Sequence, residues 1–138
     1  MGLRTHLIFT AVSAATLLAP AIVMAACSQA DISGKWQATS SGYGGGRFYR
    51  AECTLNVGAN GAISGSNCTN TQGQAGAMTD ARLNLSSGAD CRYSGSFIWF
   101  NTLHQLTQLT LASDKKSGDG KGTFERGHFT FVMTRAGR

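Results

Sequence analysis

The sequence predicts an all-β protein, a single small antiparallel up-and-down β-barrel with a meander of about seven to eight strands and stabilising disulfides. Three observations support this prediction. Glycine occurs 18 times and proline once, a composition that suits short strands joined by tight turns. Short segments rich in β-branched and aromatic residues recur at nearly regular spacing. Four cysteines allow two disulfides in a chain too small to bury a large core.

The N-terminus has the pattern of an export signal. Arg4 provides a positive charge, Leu7 to Leu18 form an apolar run, and small residues lead to Ala25. The run is too short to span a bilayer comfortably, and no later segment is long and apolar enough to be a transmembrane helix. We therefore predict a signal peptide at residues 1–25 and one β-barrel domain at residues 26–138.

Two cleavage sites lead to different locations. Cleavage after Ala25 releases a periplasmic or extracellular protein. Cleavage before Cys27 would instead use Met24-Ala25-Ala26-Cys27 as a lipobox, and the lipid on Cys27 would anchor an outer-membrane lipoprotein. The sequence leaves both alternatives open.

The predicted strands follow one another without a linker that would divide the domain. Thr102–Ala112 is ambiguous between a helical turn and a strand, and the strand is favoured. Ser113–Gly122 is predicted to be a solvated loop. The predicted strands are Ile32–Ser40, Arg47–Val57, Ala62–Thr69, Met78–Leu85, Cys91–Phe100, Thr102–Ala112, Thr123–Arg126 and His128–Arg135.

The hairpin turn at Asn60-Gly61 indicates one disulfide. Asn-Gly tolerates the positive φ of a two-residue turn, and such a turn places Cys53 opposite Cys68. A three-residue turn would move them one position out of register. In a meander, Cys27 before the first strand and Cys91 at the start of the fifth lie at the same end of the barrel. We therefore predict the pairs Cys53–Cys68 and Cys27–Cys91.

Residues typical of a catalytic or metal site are not grouped in the sequence. His104 and His128 are far apart, and neither a Gly-x-Ser-x-Gly motif nor a Cys-x2-Cys pair occurs. The segment Gly118–Thr123 lacks the spacing of a phosphate-binding loop. A net charge of +5 over the whole chain is too small for a typical nucleic-acid binder. We expect no enzyme activity, no metal, no cofactor and no nucleic-acid partner.

Gly34-Lys35-Trp36 on the first strand, together with Arg135 on the last, resembles the Gly-x-Trp motif and terminal basic residue of the calycin barrels, which include lipocalins, avidins and bacterial metalloprotease inhibitors. The resemblance implies that Trp36 plugs one end of the barrel and that Arg135 packs across it. The biotin-contacting residues of avidins do not carry over, because Ala38 stands in place of an Asn and Asn67 in place of a Tyr.

The metalloprotease inhibitors are the more similar members. They share the export signal, a Ser-Gly-x-Trp strand and a cysteine hairpin like Cys53 to Cys68. Their residues before the first strand enter the protease cleft, which implies this role for Ala26–Asp31. A Cys27–Cys91 bridge would tether that arm and departs from the family pattern.

These observations together predict an exported, non-catalytic binding module. Its partner is either a small apolar ligand in the barrel mouth or a protein that contacts the loops. A barrel of this length is expected to be filled by its own side chains, which favours the protein partner. A secreted protease inhibitor and a lipoprotein anchored at Cys27 are the alternatives.

Overall fold

The computed structural model describes residues 26–137, in which nine antiparallel strands form one continuous sheet that curls into a half-barrel. The predicted signal peptide, residues 1–25, lies outside the described residues. A short 3-10 helix, Gln29–Ile32, precedes the sheet. The strands are β1 (Gly34–Gly44), β2 (Arg47–Val57), β3 (Ile63–Asn70), β4 (Ala75–Gly76), β5 (Thr79–Ser87), β6 (Arg92–Trp99), β7 (Thr102–Leu111), β8 (Ser117–Phe124) and β9 (Gly127–Arg135).

The strand order confirms the predicted up-and-down meander. The order across the sheet is β4-β3-β2-β1-β9-β8-β7-β6-β5, so the first and last strands pair with each other. One free edge of the sheet is therefore formed by the short strand β4 and by β3, and the other free edge is formed by β5. They meet at an antiparallel bridge between Ala62 and Arg82.

The N-terminal arm covers the exposed edge of β5. The Gln29 side chain donates from Nε2 to the Leu83 carbonyl (2.9 Å) and accepts from the Leu85 backbone N–H (2.7 Å). The carboxamide thus satisfies backbone groups that a neighbouring strand would otherwise pair. Covering an edge in this way limits pairing with other chains.

Residues on β2 alternate between the two faces as the sequence predicts. Ala51, Leu55 and Val57 are buried in the core, whereas Arg50 and Glu52 are exposed. The period of two arises because successive side chains on a strand point to opposite faces. The ambiguous segment at Thr102 is strand β7.

The prediction of a solvated loop over Ser113–Gly122 is wrong for its second half, where β8 begins at Ser117. Gly118, Gly120 and Gly122 alternate with charged residues and face the interior. A Cβ at Gly120 or Gly122 would clash with the rings of Phe131 and Phe129 respectively. The aromatic rings of β9 therefore fill the space that side chains on β8 would take, a relationship that local composition does not reveal.

Both disulfides form with the predicted pairing. Cys53 and Cys68 are directly paired across β2 and β3, with Cα atoms 4.1 Å apart. Cys27 and Cys91 join the arm to the start of β6, with Cα atoms 5.0 Å apart. A lipid attached to Cys27 would therefore need the same sulfur atom that forms this disulfide.

Candidate functional site

The interior of the half-barrel contains an apolar cavity of about 260 Å³. The expectation that side chains fill the barrel is therefore wrong. The cavity is larger than the roughly 150 Å³ that holds benzene in an engineered core and slightly smaller than the usual range for ligand pockets. Its walls include Leu55, Leu83, Leu106, Phe97 and Phe129.

The cavity exists because inward side chains on β1 become smaller along the strand. Trp36 is fully buried near the start of β1, and Ala38, Ser40 and Gly42 line the cavity farther along. A large ring thus fills one end of the interior, and small side chains leave space towards the other. Ala51 on the neighbouring β2 extends this wall of small residues.

The opening of the cavity lies among residues of the β3–β4 link and the β6–β7 turn. Gln72 and Gln74 are exposed and line the cavity, as does Phe100, which is 45% exposed. The Asn70 Oδ1 accepts from the backbone N–H groups of Gln72 and Gln74, each at 3.0 Å, and so shapes the link. Polar groups thus border the entrance to an apolar interior.

His104 on β7 is the imidazole that lines the cavity. Its ring stacks on Phe97, with centroids 4.7 Å apart and planes 7° from parallel. Phe124 and Phe129 approach it with centroids at 5.3 and 5.8 Å. Desolvation by these surroundings lowers the pKa of His104 below its ordinary value, partly offset by the backbone contact with Thr102.

The contact with Thr102 fixes which ring nitrogen of neutral His104 carries the proton. Nδ1 lies 2.9 Å from the Thr102 carbonyl oxygen, which can only accept a hydrogen bond. Nδ1 therefore carries the hydrogen in the neutral ring, and Nε2 is an acceptor. Among residues 26–137, no side chain or backbone group donates to Nε2.

The two residues that the calycin resemblance singled out lie together at the other end of the interior. Arg135 pairs with Trp36 in the β1–β9 register, and its guanidinium carbon lies 4.3 Å from the centre of the Trp36 ring. The Trp36 Nε1 donates to the Ile32 carbonyl at 2.8 Å. These contacts place Trp36 and Arg135 in the closed end, away from the opening.

The arm implied in protease binding is held against this closed end. Asp31 forms an ion pair with Lys115 at 2.9 Å, and the Tyr93 hydroxyl donates to the Ser28 carbonyl at 2.7 Å. The pKa of Asp31 is lowered, mainly by the hydrogen bond from the Ser28 backbone N–H and then by the one from Lys115. Burial raises the pKa of Tyr93, and the nearby charge of Asp31 adds to this.

The outer face of the sheet carries a second group of aromatic side chains. Phe48 is 83% exposed, and its ring lies 4.7 Å from that of Tyr43 on the paired strand. His128 is 6.4 Å from Tyr43 on the other side. The two histidines of the described chain therefore lie in different places, His104 in the cavity and His128 on this outer face.

Within residues 26–137, no three His, Cys, Asp or Glu side chains are grouped so that they could hold a metal ion. In the same part of the chain, no helix is long and apolar enough to cross a bilayer.

The sequence predicts the residues of the closed end and, as one alternative, a ligand in the barrel mouth, but not the residues that line the cavity. It indicates His104 only as a candidate for a catalytic or metal site. The available signal was the alternation of Thr102, His104 and Leu106, which places the imidazole on the same face as a core leucine.

Comparisons with known proteins identify no relative. No family model matches the chain, and searches of curated proteins and of solved structures also give no match. The half-barrel is compatible with a barrel fold, and no family or motif match confirms the calycin type.

Proposed function

We propose that this protein is an exported, non-catalytic binding module that takes a small, mainly apolar ligand into its barrel. The observation that carries the proposal is the cavity of about 260 Å³, whose walls are mostly aliphatic and aromatic. Concave apolar sites with a few polar groups are the usual form of small-molecule sites. No charged side chain of the described residues lines this one.

The two disulfides support an oxidising location outside the cytoplasm. The Cys27–Cys91 bridge also favours the soluble product over the lipoprotein, because the same sulfur cannot carry both a disulfide and a lipid. The protease-inhibitor alternative has less support, because Ala26–Asp31 is tied by a disulfide, an ion pair and backbone contacts.

Filling the cavity tests the proposal. Ala38→Leu places a larger side chain on the cavity wall, whereas Gln37→Leu adds a similar side chain at the adjacent exposed position. Isothermal titration calorimetry with 2-methoxynaphthalene as an apolar probe should show binding to the wild type and to Gln37→Leu. Affinity should fall at least about tenfold in Ala38→Leu. Equal binding of the probe to all three proteins would refute the proposal, and so would failure of the wild type to bind either this probe or its hydroxyl analogue, 2-naphthol.

Contact with a protein through the outer face is the second candidate, favoured by the exposure of Phe48. A photo-crosslinking amino acid at position 48 in exporting cells should give a discrete adduct. The same amino acid at the exposed position of Thr54, farther along the outer face of β2, is the control. No adduct at position 48, or equal adducts at both positions, would remove this candidate.

A further inference from the structure

We propose that the cavity selects apolar ligands that carry one hydroxyl group, and that this hydroxyl donates its hydrogen bond to His104 Nε2. The inference rests on the proposed function and names the ligand chemistry of the same site. It follows from the fixed tautomer of His104, from the rings around it and from the lack of charge on the cavity walls.

The acceptor character of Nε2 has a structural cause. The Thr102 carbonyl lies 2.9 Å from Nδ1 and has no hydrogen to give, so the neutral ring must donate there. The lone pair is consequently on Nε2. Stacking on Phe97 at an angle of 7° restricts rotation of the ring, and Phe124 and Phe129 contribute further contacts.

The same surroundings disfavour a charged ligand. Phe97, Phe124 and Phe129 are apolar, and the described lining of the cavity contains no Asp, Glu, Lys or Arg. A carboxylate that reached His104 would lose its hydration and would meet a nitrogen lone pair there rather than a donor. The lowered pKa of His104, caused by burial, opposes the protonation that would reverse this preference.

A hydroxyl group suits this site because it can donate a hydrogen bond to His104 Nε2. An apolar ligand without a donor occupies the cavity but leaves Nε2 without a partner once water is displaced. A buried polar atom without a hydrogen-bond partner makes binding less favourable by about the free energy of one hydrogen bond. This loss corresponds to about a tenfold lower affinity. The chemical class is therefore a phenol or an alcohol with a compact hydrocarbon body.

Three probes of one skeleton test this selection on the protein produced from the full-length chain. 2-Naphthol has the donor, 2-methoxynaphthalene lacks it, and 2-naphthoate carries a negative charge. We expect calorimetry at pH 7.5 to show 2-naphthol binding about tenfold more tightly than 2-methoxynaphthalene, and 2-naphthoate binding most weakly. A shift of the His104 Nε2 resonance in nitrogen NMR with 2-naphthol, and a smaller one with 2-methoxynaphthalene, would locate the contact.

Two substitutions complete the experiment. His104→Phe keeps a ring among the aromatic neighbours but removes the acceptor, so 2-naphthol should bind no better than its methyl ether. His128→Phe changes the histidine of the outer face and should preserve the tenfold preference.

The outcomes separate the two proposals. If 2-naphthol and its ether bind the wild type equally, ligand binding stands and hydroxyl selection is refuted. Tighter binding of 2-naphthoate would also refute it. If none of the three probes binds, both proposals fail. Because the probe series uses the wild type, the result does not depend on the folding of His104→Phe.

Discussion

The guanidinium of Arg135 lies over the indole of Trp36, 4.3 Å from the ring centre, at the point where the first and last long strands pair. The same guanidinium donates to three carbonyls, those of Lys115, Ser33 and Asp31, all within 2.7 Å. One side chain therefore links β9 to the β7–β8 loop, to the start of β1 and to the N-terminal arm.

Replacing Arg135 should destabilise the closed end. Arg135→Ala removes three hydrogen bonds from a charged donor and the contact with Trp36, so the free energy of unfolding should fall by about 2–4 kcal/mol. Arg135→Lys should lose less stability than Arg135→Ala, because it keeps the positive charge. It should remain less stable than the wild type, because a lysine cannot reach all three carbonyls. Urea denaturation measures both.

Arg92→Ala is the control for this prediction. Arg92 pairs with Asp90 at 2.7 Å, but the two side chains are 47% and 54% exposed, so the loss of this pair should barely change the free energy of unfolding. An Arg135→Ala effect as small as that of Arg92→Ala would contradict the linking role.

The two disulfides should differ in their effect on ligand binding. Cys27→Ala with Cys91→Ala opens a link across 64 residues at the closed end and should lower the free energy of unfolding by about 2–4 kcal/mol. Probe affinity should change less than about twofold. Cys53→Ala with Cys68→Ala should weaken binding as well, because Cys53 lines the cavity. Equal loss of affinity in both double variants would contradict this distinction.

The glycines of β8 should resist substitution. A Cβ at Gly122 would clash with the Gln105 carbonyl oxygen and the Phe129 ring, so Gly122→Ala should cost about 1–3 kcal/mol. Gly137→Ala is the control, because its Cβ would meet no atom within 4 Å. Thermal unfolding monitored by circular dichroism compares the two. An unchanged melting temperature in Gly122→Ala would show that Phe129 can move aside.

His104 should make the stability of the fold depend on pH. Burial among three phenylalanines lowers its pKa below the ordinary value of 6.5, so the unfolded chain binds the proton more readily. The free energy of unfolding should therefore decrease as the pH falls from about 6.5 through the lowered pKa of the folded state. Urea denaturation between pH 7.5 and 5 should show this decrease in the wild type and a smaller one in His104→Phe.

The carboxyl groups of Asp31 and Asp90 do not change charge over this pH range and so do not affect the comparison of unfolding free energies. The pKa values of Asp31 and Asp90 are lowered from 3.8, so both carboxyls stay ionised above pH 5. Identical pH dependence in wild type and His104→Phe would contradict the assignment to His104.

Local features of this protein, and the order of its strands, can be predicted from the sequence. Period-two alternation identified β2. The two-residue turn predicted at Asn60-Gly61 is wrong, because Val57 pairs with Ile63 and the loop is one residue longer. A β-bulge between Asn56 and Val57 restores the register and brings Cys53 opposite Cys68. The up-and-down order then followed, because consecutive strands with short connections pair as neighbours. The pairing of Cys27 with Cys91 was predictable for the same reason, since strand direction alone sets which ends lie together.

Strand β8 and the cavity depend on packing between strands, which the sequence does not reveal. Gly118–Gly122 has the composition of a loop, and it forms a strand because Phe129 and Phe131 on β9 occupy the space above its glycines. The cavity depends on the volumes of side chains from several strands that curvature brings face to face. Its acceptor at His104 depends on one contact with Thr102 and on three aromatic neighbours. Side-chain volume and burial are properties of the assembled sheet, and the order of residues along one strand does not contain them.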